Sequence, residues 1–342
     1  MKRKSVFIML IAMLILILAS CAPEVPDVPE PEQQNPYPYL ELKPDGFVSC
    51  IDPTITKAVI PASINGKEVK GIYYKAFSSC QALTEVIIED GVKEIDEDAF
   101  KDCKSLLKIT IPASVENIGT GAFRGCSNLE EVLFLGSEIE SIANETFLDC
   151  SSLKEIVIPS NVTTIGHNAF RNCSSLESIT FPSGLESIGN STFENCTSLL
   201  DVNLPDSVTE LGVNVFYNCK ALKNVTLSKN LKNLTSHLFT GCNLSSINIP
   251  EGIESISNST FSNNRALVEV ILPNSLSSIG SSAFYMCDNL KRVSIGSGVK
   301  EIADDAFDRC NAIESFYIDL EEGSLLYTGF ATNFEITWKK SN

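Results

Sequence analysis

Histidine and tryptophan are nearly absent from this sequence, with two His and one Trp in 342 residues. General acid–base and metal chemistry therefore lack the residue they use most. Positive charge is also scarce: 26 basic residues stand against 43 acidic ones, for a net charge of −17. Binding nucleic acid requires a basic footprint on the phosphates, so such a partner is not expected. No C-x-x-C pair occurs, which removes the commonest zinc spacing. Beyond the first twenty residues, no apolar run approaches the ~20 residues needed to cross a bilayer. What the chain does have is 44% hydrophobic residues, 18 Phe and 12 Cys. That is ample for a core, and the cysteine density is well below that of a small disulfide scaffold.

The N-terminus reads as an address. Lys2, Arg3 and Lys4 precede an unbroken apolar run of 13 residues, Val6 to Leu18, followed by Ala19-Ser20-Cys21. A basic start, a short apolar stretch and small residues before a cut describe a secretory signal peptide over residues 1–20. The run is too short for a transmembrane anchor. Leu18-Ala19-Ser20-Cys21 resembles the bacterial lipobox, which implies cleavage before Cys21 and acylation of that residue. Two or more acyl chains on one residue give stable membrane attachment. Residues 21–38 hold Pro23, Pro26, Pro29, Pro31, Pro36 and Pro38 among acidic residues, an extended tether of ~3.1 Å per residue where it adopts polyproline II.

From Phe77 onward the chain repeats itself. Phe recurs at 77, 100, 123, 147, 170, 193, 216, 239, 261, 284 and 307, at intervals of 23 residues except for one of 24 and one of 22. Three residues after each Phe stands a Cys, from Cys80 to Cys310, with Asn264 alone breaking the column. The unit is L-x-x-[VI]-x-[IL]-P-x-x-[VLI]-x-x-[IL]-x-x-x-[AT]-F-x-x-C, and residues 153–175 are a clean copy. Its first part alternates apolar and polar with β-branched residues, a short strand with one buried face. Proline then ends the ladder, because it has no N–H to donate. V-x-x-I is a second extended piece, and A-F-x-x-C has the spacing of one helical or 3₁₀ turn. One such coil has no interior of its own, so stacking must create the core and the ends need caps.

L-x-x-[VI]-x-[IL] resembles the strand segment of leucine-rich repeats. The 23-residue unit with Ile-Gly-x-x-Ala-Phe-x-x-Cys, clearest in Ile118 to Cys126 and Ile165 to Cys173, resembles the Treponema-type or BspA-like subclass. The resemblance implies a leucine-rich repeat solenoid of about eleven coils over residues 76–318, with short parallel strands on a concave inner face. Residues 39–75 depart from the period and read as an N-terminal cap with a degenerate repeat. Residues 319–342 form the C-terminal cap, sealed by Phe330, Phe334, Ile336 and Trp338. The resemblance further implies a surface-displayed, adhesin-like protein that binds host or other-cell proteins, held in the bacterial envelope through acylated Cys21. A periplasm-facing scaffold is the alternative; catalysis, a cofactor and a small-molecule substrate are not expected.

Chemistry outside that frame finds little support in the residues. Cysteines one coil apart would have parallel Cβ vectors, which do not give the disulfide dihedral near 90°; they read as buried apolar residues. Cys50 lies outside the column and has no assigned role. His167 and His237 fall at different registers, about three coils apart, and cannot share a metal. Asp96-Glu97-Asp98 and Asp304-Asp305 lack the Gly and distal Glu of a calcium loop. The remaining candidate is the outward side of the strands. One column runs Glu85, Lys108, Glu131, Glu155, Ser178, Asp201, Asn224, Ser246, Glu269, Arg292, Ser315. The other runs Ile87, Thr110, Leu133, Val157, Thr180, Asn203, Thr226, Asn248, Ile271, Ser294, Tyr317. The candidate binding residues are Glu85, Lys108, Glu131, Glu155, Thr180, Asn203, Thr226, Asn248, Glu269 and Arg292.

Overall fold

The structure is a computed structural model that describes residues 35–321 and 336–339. The signal peptide, Cys21, most of the tether, Phe330 and Phe334 lie outside the described residues. Everything below concerns the compact unit that begins at Tyr37.

The coils lay short parallel strands along two faces, the first and second sheets, each interrupted into several hydrogen-bonded segments; the coil at Asn248 adds only an isolated bridge to the first. The first sheet takes the three- or four-residue strands, in which Val86 and Ile88 turn inward while Glu85 and Ile87 turn out. Its strands pair in strict register, Glu85 with Lys108 and Glu131 with Lys108, so equivalent residues form straight columns. The second sheet takes two-residue strands such as Asn117–Ile118 and Thr164–Ile165, each burying its Ile. The Ile-Gly pair belongs here because coils approach closely: a Cβ on Gly189 would lie 2.7 Å from the His167 amide nitrogen of the preceding coil.

The third side of the coil differs from the helical turn expected of A-F-x-x-C. Among the described residues it is a chain of tight turns. The Cys173 amide donates to the Phe170 carbonyl at 3.1 Å, closing a four-residue turn whose third residue, Asn172, has φ of 62°. Alternate amides are meanwhile committed to the next coil: Asn168 to Asn190, Phe170 to Thr192 and Asn172 to Glu194, all at 2.8–2.9 Å. A helix would need successive amides for bonds four residues back. The stack uses every second one between coils, so a helix cannot form. Positions two before and two after the Phe adopt the left-handed region, Asp305 excepted, and most of them are Asp, Asn, Ser or Gly, which tolerate it; Lys75, Glu145, His237, Met286 and Arg309 are the others.

The core is one continuous cluster of buried Leu, Ile, Val, Phe and Cys side chains, with the Phe rings in file within it. Phe77 through Phe307 stack ring on ring with centroids 4.9–5.7 Å apart and planes within 15° of parallel. Beside them runs the cysteine column. From Cys103 to Cys310, each thiol donates to the carbonyl of the Phe in the preceding coil at 3.0–3.3 Å. Burial pushes the thiols from Cys103 to Cys242 up, Cys103 to about 12, and the eleven described cysteines are all free.

Asn264, the one exception in the column, has a structural reason. The preceding coil is the 22-residue one, and its missing residue lies between Cys242 and Leu244. Elsewhere the Leu amide donates to the Cys carbonyl three residues back, as Leu222 does to Cys219 at 3.0 Å. Cys242-Asn243-Leu244 is too short for that turn. The Leu244 amide instead donates to Asn264 Oδ1 at 3.3 Å, while Asn264 Nδ2 donates to the Phe239 and Phe261 carbonyls at 2.8 and 2.9 Å. Asparagine thus keeps the acceptor that a Cys would use and supplies the one that the shortened loop lost.

The ends are closed by other means. Lys57–Ile60 and Gly71–Ile72 supply both sheets with an incomplete first coil, and the antiparallel pair Leu40–Leu42 with Phe47–Cys50 covers one sheet edge. At the far end Ile336–Trp338 pairs with Ser315–Ile318, and Ile336 and Trp338 pack on the core.

Candidate functional site

The outward columns are assembled by the register of the first sheet. Glu85, Lys108 and Glu131 stand side by side, as do Glu155 with Ser178, Asp201 with Asn224, and Glu269 with Arg292. In the second column Val157 neighbours Thr180, Asn203 neighbours Thr226, and Asn248 bridges to Ile271. All ten candidate residues reach solvent, Glu85 and Glu269 only partly.

Several of these polar groups satisfy each other. Arg292 donates twice to the Glu269 carboxylate, at 2.9 and 3.1 Å, which holds that carboxyl below its usual range. Lys57 sits 2.7 Å from Glu85 and lowers its pKa in the same way. In the middle, Asn224 donates to Asp201 at 2.6 Å and Thr226 to Asn203 at 2.9 Å. Glu131 and Glu155 are different: among the described residues neither is in an ion pair. Lys108, the register neighbour of Glu131, is likewise in no ion pair among them, and Asp201 has only the neutral Asn224 as its partner there.

Beside them lies an apolar stripe that the candidate residues omitted. Ile87, Leu133 and Val157 are 50%, 45% and 65% exposed, with Ile271 at 63% near the other end. Their signal was visible, since period two places them on the outward side, where a solvated strand would carry polar residues. Leu135, also exposed, extends the stripe beyond its strand. Around Ile271 the face deepens into a groove of about 860 Å³ lined by Asn248, Glu269, Ser294, Tyr317 and Asp319 among others. Lys57 was missed too, although Ala58-Val59-Ile60-Pro61 puts it in the register of Glu85.

The remaining residues singled out by sequence lie away from this face. His167 Nδ1 accepts the Asn190 amide at 2.8 Å, so its proton is on Nε2 and the ring links two coils. The His237 ring meets Tyr217 edge to face with centroids 6.2 Å apart. Asp305 accepts from the Ser281 and Ser282 hydroxyls at 2.8 and 2.7 Å. Among the described residues, no group of three His, Cys, Asp or Glu side chains could hold a metal, and no helix is long and apolar enough to cross a membrane.

Two faces of short parallel strands, a 23-residue period and an in-register Phe column define a leucine-rich repeat solenoid. The profile of the BspA type leucine rich repeat region matches in six copies across residues 70–200, 140–268 and 186–314. The chain belongs to that family. A leucine-rich repeat protein from Bacteroides ovatus shares 24% identity and a TM-score of 0.60, with 88% of this chain and 98% of that one covered. The pneumococcal vaccine antigen PcpA shares 22% identity and a TM-score of 0.51, covering 84% of this chain and 80% of its own. A T. pallidum leucine-rich repeat protein is 27% identical with a TM-score of 0.38, over 73% of this chain and 86% of that one. No curated relative matches.

Proposed function

We propose that this is a lipid-anchored, surface-displayed, non-enzymatic binding protein that grips an extended protein segment along the outward strand columns. The observation that carries the reading is the apolar stripe Ile87, Leu133 and Val157 beside the unpaired Glu131 and Glu155. Columns on a rigid sheet engage a partner without first ordering a loop, which removes part of the entropic cost of binding. The acidic residues favour a basic partner and steer its approach, while the stripe supplies apolar area to bury. Membership of the BspA-type family supports protein binding as the role. The Leu18 to Cys21 box supports export and acylation, with the tether holding the solenoid away from the membrane.

Two experiments test this reading. Protease treatment of intact cells removes a surface-displayed solenoid and spares a periplasm-facing one. A photo-reactive residue at position 157 captures the partner, whereas one at exposed Val213, in a turn away from the strand columns, does not; capture at 213 alone would move the site.

A further inference from the structure

Taking the outward columns as the binding face, we propose that they hold two separate docking stations for one extended basic segment, whose apolar anchors lie about eight residues apart. The second column carries the pattern. Leu133 and Val157 are exposed, Thr180, Asn203, Thr226 and Asn248 are polar, and Ile271 is again an exposed apolar residue. A single isoleucine on a surface would mean little. Ile271, however, lines the groove of about 860 Å³, and that groove lies where the sheet is interrupted: Asn248, in the 22-residue coil, adds only a bridge to Ile271.

The two stations share one chemistry. At the first, Leu133 and Val157 accompany Glu131 and Glu155 on the same two strands, Glu131–Phe134 and Glu155–Val157. Lys108 neighbours Glu131, whereas the register neighbour of Glu155 is the neutral Ser178. The groove is lined by Glu251, Glu269 and Asp319 and by no Lys, Arg or His. Arg292 neutralises Glu269, and Lys339 sits 3.2 Å from Asp319. Glu251 instead accepts the Asn274 and Ser275 amides at 3.1 and 3.2 Å, and among the described residues it is in no ion pair. The groove thus keeps a negative charge. Each station suits an apolar side chain next to a cation. The stretch between them is occupied with itself, Asn224 donating to Asp201 and Thr226 to Asn203.

The stack fixes the separation. Val157 and Ile271 are five coils apart in one column, about 24 Å at ~4.8 Å per strand. An extended partner rises about 3.3 Å per residue and shows every second side chain on one face, so its two anchors are an even number of residues apart and about eight fits best. Once one anchor is seated the other binds intramolecularly, which raises affinity beyond that of either station alone.

The test titrates the purified protein with synthetic peptides. One carries two leucine–lysine pairs eight residues apart in a serine and threonine spacer; the others carry the pairs four apart, or a single pair. The eight-residue peptide should bind about tenfold or more tightly than either control. Val157→Ser and Ile271→Ser, both at exposed positions, should each remove that gain with circular dichroism unchanged. No binding by any peptide, a gain that ignores spacing, or a gain that either substitution leaves intact would overturn the two stations. The column reading fails separately, by loss of partner capture at position 157, whatever the peptides do.

Discussion

Restoring the repeat consensus at its one exception should destabilise the protein. Asn264→Cys completes the cysteine column, and by sequence alone it is an improvement. In the structure it strands the Leu244 amide, which is buried and donates to Asn264 Oδ1. The new thiol keeps the Phe239 carbonyl as its acceptor but can offer nothing to an N–H that the shortened loop has already deprived of its turn. A buried donor left without a partner costs about 1–3 kcal/mol. With a urea dependence near 3 kcal/mol per M, the unfolding midpoint should fall by roughly 0.3–1 M. A second variant makes the reasoning sharper. Inserting one residue between Asn243 and Leu244 restores the Cys-x-x-Leu spacing, so the Leu amide can donate to the Cys242 carbonyl. In that background Asn264→Cys should cost little or become favourable. Urea titrations of the four proteins decide it. If Asn264→Cys is as stable as the wild type, or if its cost is the same with and without the insertion, the account of this position is wrong.

Phe193→Ala removes a ring stacked between Phe170 and Phe216 and touched edge-on by Phe181; it should cost about 3–5 kcal/mol and split denaturant unfolding into two phases. Phe307→Ala, at the end of the stack, should leave the main transition nearly unmoved, and equal single-phase losses for both would contradict nearest-neighbour stacking. Cys21→Ala should yield a precursor or a released chain, read as loss of detergent-phase partitioning; equal partitioning with wild type would refute the lipobox reading. Asp305 has its pKa lowered chiefly by the Ser282 hydroxyl, so its stabilisation is present above the ordinary carboxylate range and is lost as pH falls through the depressed folded value. Asp305→Asn should therefore be less stable than wild type at pH 7, with the gap in thermal midpoint closing below about pH 4; a gap that is constant with pH would exclude the ionised form as its source.

The architecture was legible because its signals are periodic. A Phe and a Cys every 23 residues locate the core, and period-two alternation assigns Glu131 and Leu133 to the outward side without reference to any other coil. The A-F-x-x-C turn was misread because a spacing of three suits a helical turn and a β-turn equally. The discriminating signal lay in the flanks, at pairs such as Asp98 and Asp102 or Asn168 and Asn172, residue types that tolerate left-handed backbone. Contacts between coils were not legible. That Asn264 answers a deletion twenty residues earlier and that Lys57 neutralises Glu85 both depend on which part of one coil lies over which part of the next. Single-sequence patterns specify a residue's side of the strand, and only the stack specifies its neighbours.

The central claim is that binding belongs to the outward strand columns, and Glu131→Lys with Glu155→Lys tests it most directly. Both residues are exposed and unpaired among the described residues, so circular dichroism and the thermal midpoint should not change. Affinity for the partner captured at position 157 should fall about tenfold or more, and the association rate should lose its dependence on salt. An intact fold with unchanged affinity and an unchanged salt dependence would contradict the account.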